Sequence, residues 1–224
     1  MSKEIRAVAF DLDGTLINSA KGLTEAIDLM LKSLEYPVAG FEKVSIWIGN
    51  GAVNLVESAL KDAGDEEALR LFDEAYDLFN RFYADVLKKG SELYPGVRVT
   101  LTTLKAQGYH LALITNKPSR FLPQLLKDLA LSSLFDLVLG ADDVAARKPH
   151  PAPIYQTLGH FGLYQHELLF VGDSRNDIES AKEAGVATVG LTYGYNFGRL
   201  ISEENPTYVI DHFEELLAIL GISA

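Results

Sequence analysis

Two apolar patterns follow one another along the chain and change places at Tyr94-Pro95-Gly96. Val8, Ala9 and Phe10 open it as a short unbroken apolar run, the pattern of a strand buried on both faces. After Ser19, a candidate N-cap, Leu23, Ile27, Met30, Leu31 and Leu34 recur at helical spacing until Pro37 and Gly40 break the pattern. Residues 41–89 keep the same period, most clearly in Leu69, Phe72, Tyr76, Phe79, Phe82, Tyr83 and Val86. This aromatic stripe reads as the interior of a helical unit rather than as a ligand surface. Beyond Gly96, residues 110–115, 137–140, 168–171 and 187–191 are short apolar runs separated by amphipathic stretches, and residues 208–210 and 213–220 add a last strand and helix.

That alternation predicts an α/β fold, a doubly wound parallel sheet with helices on both faces. The helical stretch falls outside the alternation and reads as an insertion after the first strand. Residues 1–16 and 91–224 are therefore expected to form the α/β domain and residues 17–90 a smaller helical one. Sheets of this kind bind ligands at the carboxyl ends of their strands, so the polar residues that follow each apolar run become the candidates for chemistry.

Asp11 and Asp13 follow the first run, with Gly14 and Thr15 behind them. Alternate residues of an extended segment share a face, so both carboxylates are expected to leave the strand end toward one point, and such a pair survives only if a cation neutralises it or one carboxyl holds a proton. An Asp-x-Asp is as easily a turn or a helix cap. In a strand-end site, however, one carboxylate can attack phosphorus while its neighbour moves the proton. The second run ends in Thr115-Asn116-Lys117, a hydroxyl, an amide and an ammonium. Lys148 follows the third in a loop stiffened by Pro149 and Pro151, with Arg147 beside it read as structural or solvent-facing. The next ends in Gly172-Asp173-Ser174-Arg175-Asn176-Asp177, where Asp173 and Asp177 share one face if a helix begins near Ser174.

Composition narrows the setting. At 224 residues and 48% hydrophobic content the chain can bury a substantial core. Without cysteine it has no disulfide, thiolate metal site or cysteine nucleophile, which suits a reducing cytoplasm. The stretch from Met1 to Arg6 runs straight into the first strand and no membrane-length apolar segment follows, so no membrane partner is expected. A net charge of −11 argues against a nucleic-acid partner. A small anionic substrate then needs local cations, because two unit charges about 4 Å apart repel by roughly 4 kcal/mol at an effective dielectric near 20.

The string Asp11-x-Asp13-Gly14-Thr15 resembles the first motif of the haloacid dehalogenase-like phosphatase superfamily; Thr115-Asn116, Lys148 and Gly172-Asp173 with Asp177 resemble the second, third and fourth. The resemblance implies a catalytic set of Asp11, Asp13, Thr115 and Lys148. Asp11 would form an aspartyl-phosphate and Asp13 would act as general acid and then base. Thr115, Asn116 and Lys148 would bind the phosphoryl group. Magnesium would be held by Asp11, the backbone carbonyl of Asp13 and Asp173, with Asp177 behind them orienting the ligands. The insertion is similar to the small helical cap of that superfamily, and the break at Gly49, Asn50 and Gly51 is the expected selecting loop for a small phosphate ester. Lys43 and Lys117 are candidates to pair with an acidic leaving group. A sugar phosphate, pyrophosphate or a phosphoglucomutase reaction are rival outcomes. A receiver-type signalling module shares the residue types, but its acceptor aspartate lies on a later strand and it has no such insertion.

Overall fold

The computed structural model describes residues 5–87 and 89–222; Met1 to Glu4, part of the expected N-terminal lead-in, and Lys88 lie outside the described residues. A six-stranded parallel sheet forms the frame, built from β1 (Ala7–Phe10), β4 (His110–Ile114), β5 (Leu137–Leu139), β6 (Leu168–Gly172), β7 (Ala187–Leu191) and β8 (Tyr208–Ile210). In space their order is β5-β4-β1-β6-β7-β8. The chain thus builds outward from β1 on one side and then returns to build on the other. The switch falls at β1, whose Phe10 pairs with Leu113 of β4 and Val171 of β6, so that three strand ends finish level.

Period-two alternation divides the core. Val8, Phe10, Leu111, Leu113, Leu169 and Val171 face one side, under α5 (Val97–Ala106), α6 (Leu122–Asp128) and α9 (Glu215–Ile219). Ala7, Ala9, Ala112, Ile114 and Phe170 face the other, under α7 (Ala152–Phe161) and α8 (Arg175–Glu183). Small alanines at three of these positions let α7 and α8 approach the sheet closely, while the opposite face is filled by larger side chains.

Between β1 and α5 the chain forms α1 (Ala20–Ser33), α2 (Phe41–Trp47), α3 (Gly51–Leu69) and α4 (Phe72–Val86), with α1 packed against the other three and α3 against α4. Two features of this stretch differ from expectation. Its ends are tied by an antiparallel ribbon in which β2 (Ile17–Asn18) pairs with β3 (Glu92–Leu93), an element too short for any periodic signal. Close behind it Gly22 and Gly90 meet backbone to backbone, where a Cβ on Gly90 would lie 2.3 Å from the Gly22 Cα. Ser19 does occupy the N-cap of α1, yet its hydroxyl makes no capping bond and is buried without a partner. Among the described residues no helix is long and apolar enough to cross a membrane.

Phe213, just ahead of α9, is 1% exposed and its ring centroid lies 5.8 Å from that of Phe10. Phe213→Ala should therefore cost about 3–5 kcal/mol, read as a lower urea midpoint at unchanged m-value.

Candidate active site

The three level strand ends deliver their polar residues to one place. Asp11 leaves β1 with its N–H donating to the Val171 carbonyl at 3.0 Å, which holds it against β6. Lys148 enters from the loop beyond β5, next to a cis bond to Pro149, and its Nζ donates to three acceptors: Asp11 Oδ1 at 2.6 Å, Asp177 Oδ1 at 2.6 Å and the Ile114 carbonyl at 2.7 Å. An ammonium has three donors, and all three are used. Burial works against its charge, but the Asp11 and Asp177 carboxylates outweigh that and raise its pKa above the ordinary value. Burial pushes the Asp11 carboxyl up to about 7, with Lys148 opposing the rise.

Asp173 and Asp177 are positioned with equal economy. Asp173 Oδ1 accepts from the Thr15 hydroxyl at 2.7 Å, and its Oδ2 from the Tyr195 backbone N–H at 2.6 Å. Asp173 is packed so tightly that a Cβ on Gly14 or Gly194 would come within 2.2 Å of it; Gly14 also has φ +93°, so only glycine fits there. Ser174 precedes the first residue of α8, as the spacing requires, and Asp177 Oδ2 accepts from its N–H at 3.0 Å and its hydroxyl at 2.7 Å. Burial raises the Asp173 pKa well above the usual carboxylate range, with Asp177 and Asp11 adding to it.

These residues fit a divalent cation. One carboxylate oxygen each from Asp11, Asp173 and Asp177 lies within 4.8 Å of the others, and all three residues are buried. Counting Asp13, four carboxylates face two ammonium groups, Lys148 and Lys117, and the excess is two negative charges. Hard oxygen donors with that deficit suit magnesium, which takes few protein carboxylates.

Asp11, Asp13, Thr115, Asn116, Lys117, Lys148, Asp177, Gly49 and Gly51 line one cavity of about 40 Å³. Asp173 is not part of that lining. Asp11 and Asp13 line the same cavity but pair with different lysines: both oxygens of Asp13 accept from Lys117 Nζ at 2.9 Å. The Thr115 hydroxyl accepts the Lys117 N–H at 3.1 Å. Of the two candidate cations only Lys117 reaches the cavity. Lys43, on α2, is exposed and bonds Asp62 of α3 at 2.7 Å.

The Gly49–Gly51 break does start a helix, with Asn50 at the N-cap of α3, and its Gly49 carbonyl and Asn50 side-chain oxygen are bonded to the core. The Gly49 carbonyl accepts from Asn116 Nδ2 at 3.2 Å and Asn176 Nδ2 at 3.1 Å, and Asn50 Oδ1 accepts from Asn176 Nδ2 at 2.8 Å. Asn50 is thus directed at Asn176 and is not among the residues lining the cavity. Arg147 has a defined contact as well, donating from Nη2 to Asn54 Oδ1 at 3.1 Å. Phe79 and Tyr83, read from the aromatic stripe as interior, are buried and also line the cavity. Thr15 stands in plain view within the first motif. Tyr195 acts on Asp173 through its backbone N–H, for which the sequence carries no signal.

The sequence model of the haloacid dehalogenase-like hydrolases matches residues 8–191, a span that runs from β1 to β7. The chain belongs to this family. It is an enzyme, a phosphoric monoester hydrolase. It is 50% identical over 220 residues to the phosphoglycolate phosphatase of Yersinia pestis, covering 98% of this chain and 95% of that one. It is 51% identical over the same length to that of Photorhabdus laumondii, covering 98% and 94%. The structure of a predicted phosphoglycolate phosphatase from Haemophilus somnus superposes with a TM-score of 0.93 at 42% identity, covering 98% of this chain and 99% of that one. The carboxylate cluster and its lysine therefore sit in a haloacid dehalogenase-like core.

Asn176 reaches the loop and not the cavity, so its loss should loosen the loop without removing a lining group. Trp47, the single tryptophan of the chain, lines the cavity just before that loop. Asn176→Ala should shift Trp47 emission to the red, by several nanometres, as water enters; unchanged emission would show that the Asn176 bonds do not hold the loop down.

Proposed function

We propose that this hydrolase cleaves 2-phosphoglycolate to glycolate and phosphate in a magnesium-dependent reaction that passes through an aspartyl-phosphate on Asp11. In this reading residues 1–16 and 91–224 form the catalytic domain and residues 17–90 a cap over it, in a cytoplasmic enzyme. The observation that carries the chemistry is a buried Asp11, held by a fully occupied Lys148 at the wall of a cavity that also contains Asp13 and Thr115.

The Asp11 carboxylate attacks phosphorus, the bond to the leaving oxygen breaks, and Asp13 supplies a proton to that oxygen. Water then attacks the aspartyl-phosphate and gives its proton to Asp13, releasing phosphate and restoring Asp11. Lys148 offsets charge on Asp11 and the phosphoryl oxygens, while the Thr115 hydroxyl and Asn116 bind the latter. Asp11, the Asp13 carbonyl and Asp173 would hold magnesium, with Asp177 orienting them through Lys148 and the turn before α8. When bound, the ion supplies charge neutralisation for the approach of carboxylate to phosphate.

The substrate assignment is supported by the relatives that carry that activity in their names.

Asp11→Asn should lower kcat by about 10⁴-fold or more while leaving the circular dichroism spectrum unchanged. Wild-type turnover should stop in excess chelator and return with magnesium. Substantial activity in the Asp11→Asn variant would overturn the covalent route, and full activity in chelator would overturn the metal.

Among 2-phosphoglycolate, ethyl phosphate, glucose 6-phosphate and pyrophosphate, the first should have the highest kcat/KM by about tenfold or more. A sugar phosphate or pyrophosphate at the top of that order would overturn the substrate assignment and leave the chemistry standing.

A further inference from the structure

We propose that the Tyr83 hydroxyl and the Lys117 ammonium together form the subsite that receives the carboxylate of the leaving group, which makes Tyr83 a specificity-determining residue. The inference rests on the reading of the substrate as a phosphorylated acid and names the groups that recognise the acid.

Tyr83, on α4, is 2% exposed and lines the same cavity as Asp11, Asp13 and Lys117. Its hydroxyl is buried and its O–H has no acceptor, while its oxygen lies beside the Lys117 ammonium. Buried hydroxyls are almost always paired, so an unpaired one on a ligand cavity calls for an acceptor that the ligand brings. The neighbouring Lys117 cannot be that acceptor, because an ammonium only donates. The ring cannot swing away to find another. It is stacked on Phe79 with centroids 5.4 Å apart and meets the edge of Phe121 at 5.1 Å, and the Lys117 ammonium lies 4.8 Å from its centre. Burial also pushes the phenol up to about 12, so it stays a donor at neutral pH.

Lys117 is the complementary charge. Its ammonium lies 2.9 Å from both oxygens of Asp13. Asp13 occupies two of its three donors at most, so one donor is shared between the Tyr83 oxygen beside it and an acceptor that a ligand brings. Around these two donors the lining is apolar, with Leu23, Trp47, Leu55, Phe79 and Phe121. Such a wall offers nothing to the hydroxyls of a sugar, whereas an ammonium and a phenol O–H side by side suit one carboxylate. Tyr83 comes from the inserted helices and Lys117 from the loop after β4, so the subsite exists only where the two parts meet.

Steady-state kinetics of wild type and Tyr83→Phe with 2-phosphoglycolate and with ethyl phosphate, a two-carbon ester that lacks the carboxylate, test the inference. Phenylalanine keeps the stacked ring and deletes only the hydroxyl. The kcat/KM for 2-phosphoglycolate should fall about tenfold to a hundredfold, chiefly through KM, the loss expected for a hydrogen bond to a charged group. Ethyl phosphate turnover should change less than about twofold and the melting temperature should not fall, because a buried O–H without an acceptor adds little to the empty fold. An equal loss on both esters, or a lower melting temperature, would mark Tyr83 as structural and overturn the inference. A wild type that prefers 2-phosphoglycolate, with that preference undiminished in Tyr83→Phe, would overturn the inference alone. A wild type without the preference would overturn the substrate reading and the inference with it.

Discussion

The ammonium of Lys148 is the point on which the site depends. It gathers one acceptor from the end of β1, one from the end of β4 and one from the first turn of α8, all within 2.7 Å, in a place where water cannot substitute. A buried charge that loses its partners costs several kcal/mol, so each of the three acceptors constrains the other two through this one nitrogen. The geometry demands that the three strands end level. The parallel register of β1 with β4 on one side and β6 on the other provides that.

Around this centre the negative charge is held by neutral dipoles rather than by more cations. Thr15 and the Tyr195 N–H take both oxygens of Asp173, while Ser174 takes one oxygen of Asp177. Close approach of backbone makes this possible. At Gly14, Gly172 and Gly194 a single added carbon would collide with an aspartate. Hydrogen bonds orient the carboxylates without cancelling their charge, and the remaining deficit is what a divalent cation would fill.

The inserted helices are joined to this core through polar contacts that do not use the carboxylates of Asp11 or Asp173. Gly49 and Asn50 meet Asn116 and Asn176, and Asn54 meets Arg147. The cavity is bounded by both parts, with Phe79 and Tyr83 on one side and Asp13 and Lys117 on the other. In the proposed reaction this division lets the core carry out phosphoryl transfer while the insertion selects the leaving group.

Much of this was legible in the sequence. The strands run close to the apolar stretches, and the helices close to the 3.6-residue period, because hydrophobic burial acts on local patterns that a chain displays directly. The four polar clusters fall at strand ends for the same reason. Contacts across the chain left no local trace. Lys43 and Lys117 looked equivalent as candidate cations, yet Lys43 pairs with Asp62 at the surface and Lys117 with Asp13 in the cavity. The aromatic stripe announced a packed interior, and only the approach of α4 to the loop after β4 turned Phe79 and Tyr83 into cavity wall. The sequence by itself determined the elements, the α/β class and the residue types that chemistry requires. Tertiary structure decided which carboxylate meets which lysine, because such pairing depends on distances of a few ångströms between residues far apart along the chain, and no local periodicity encodes them.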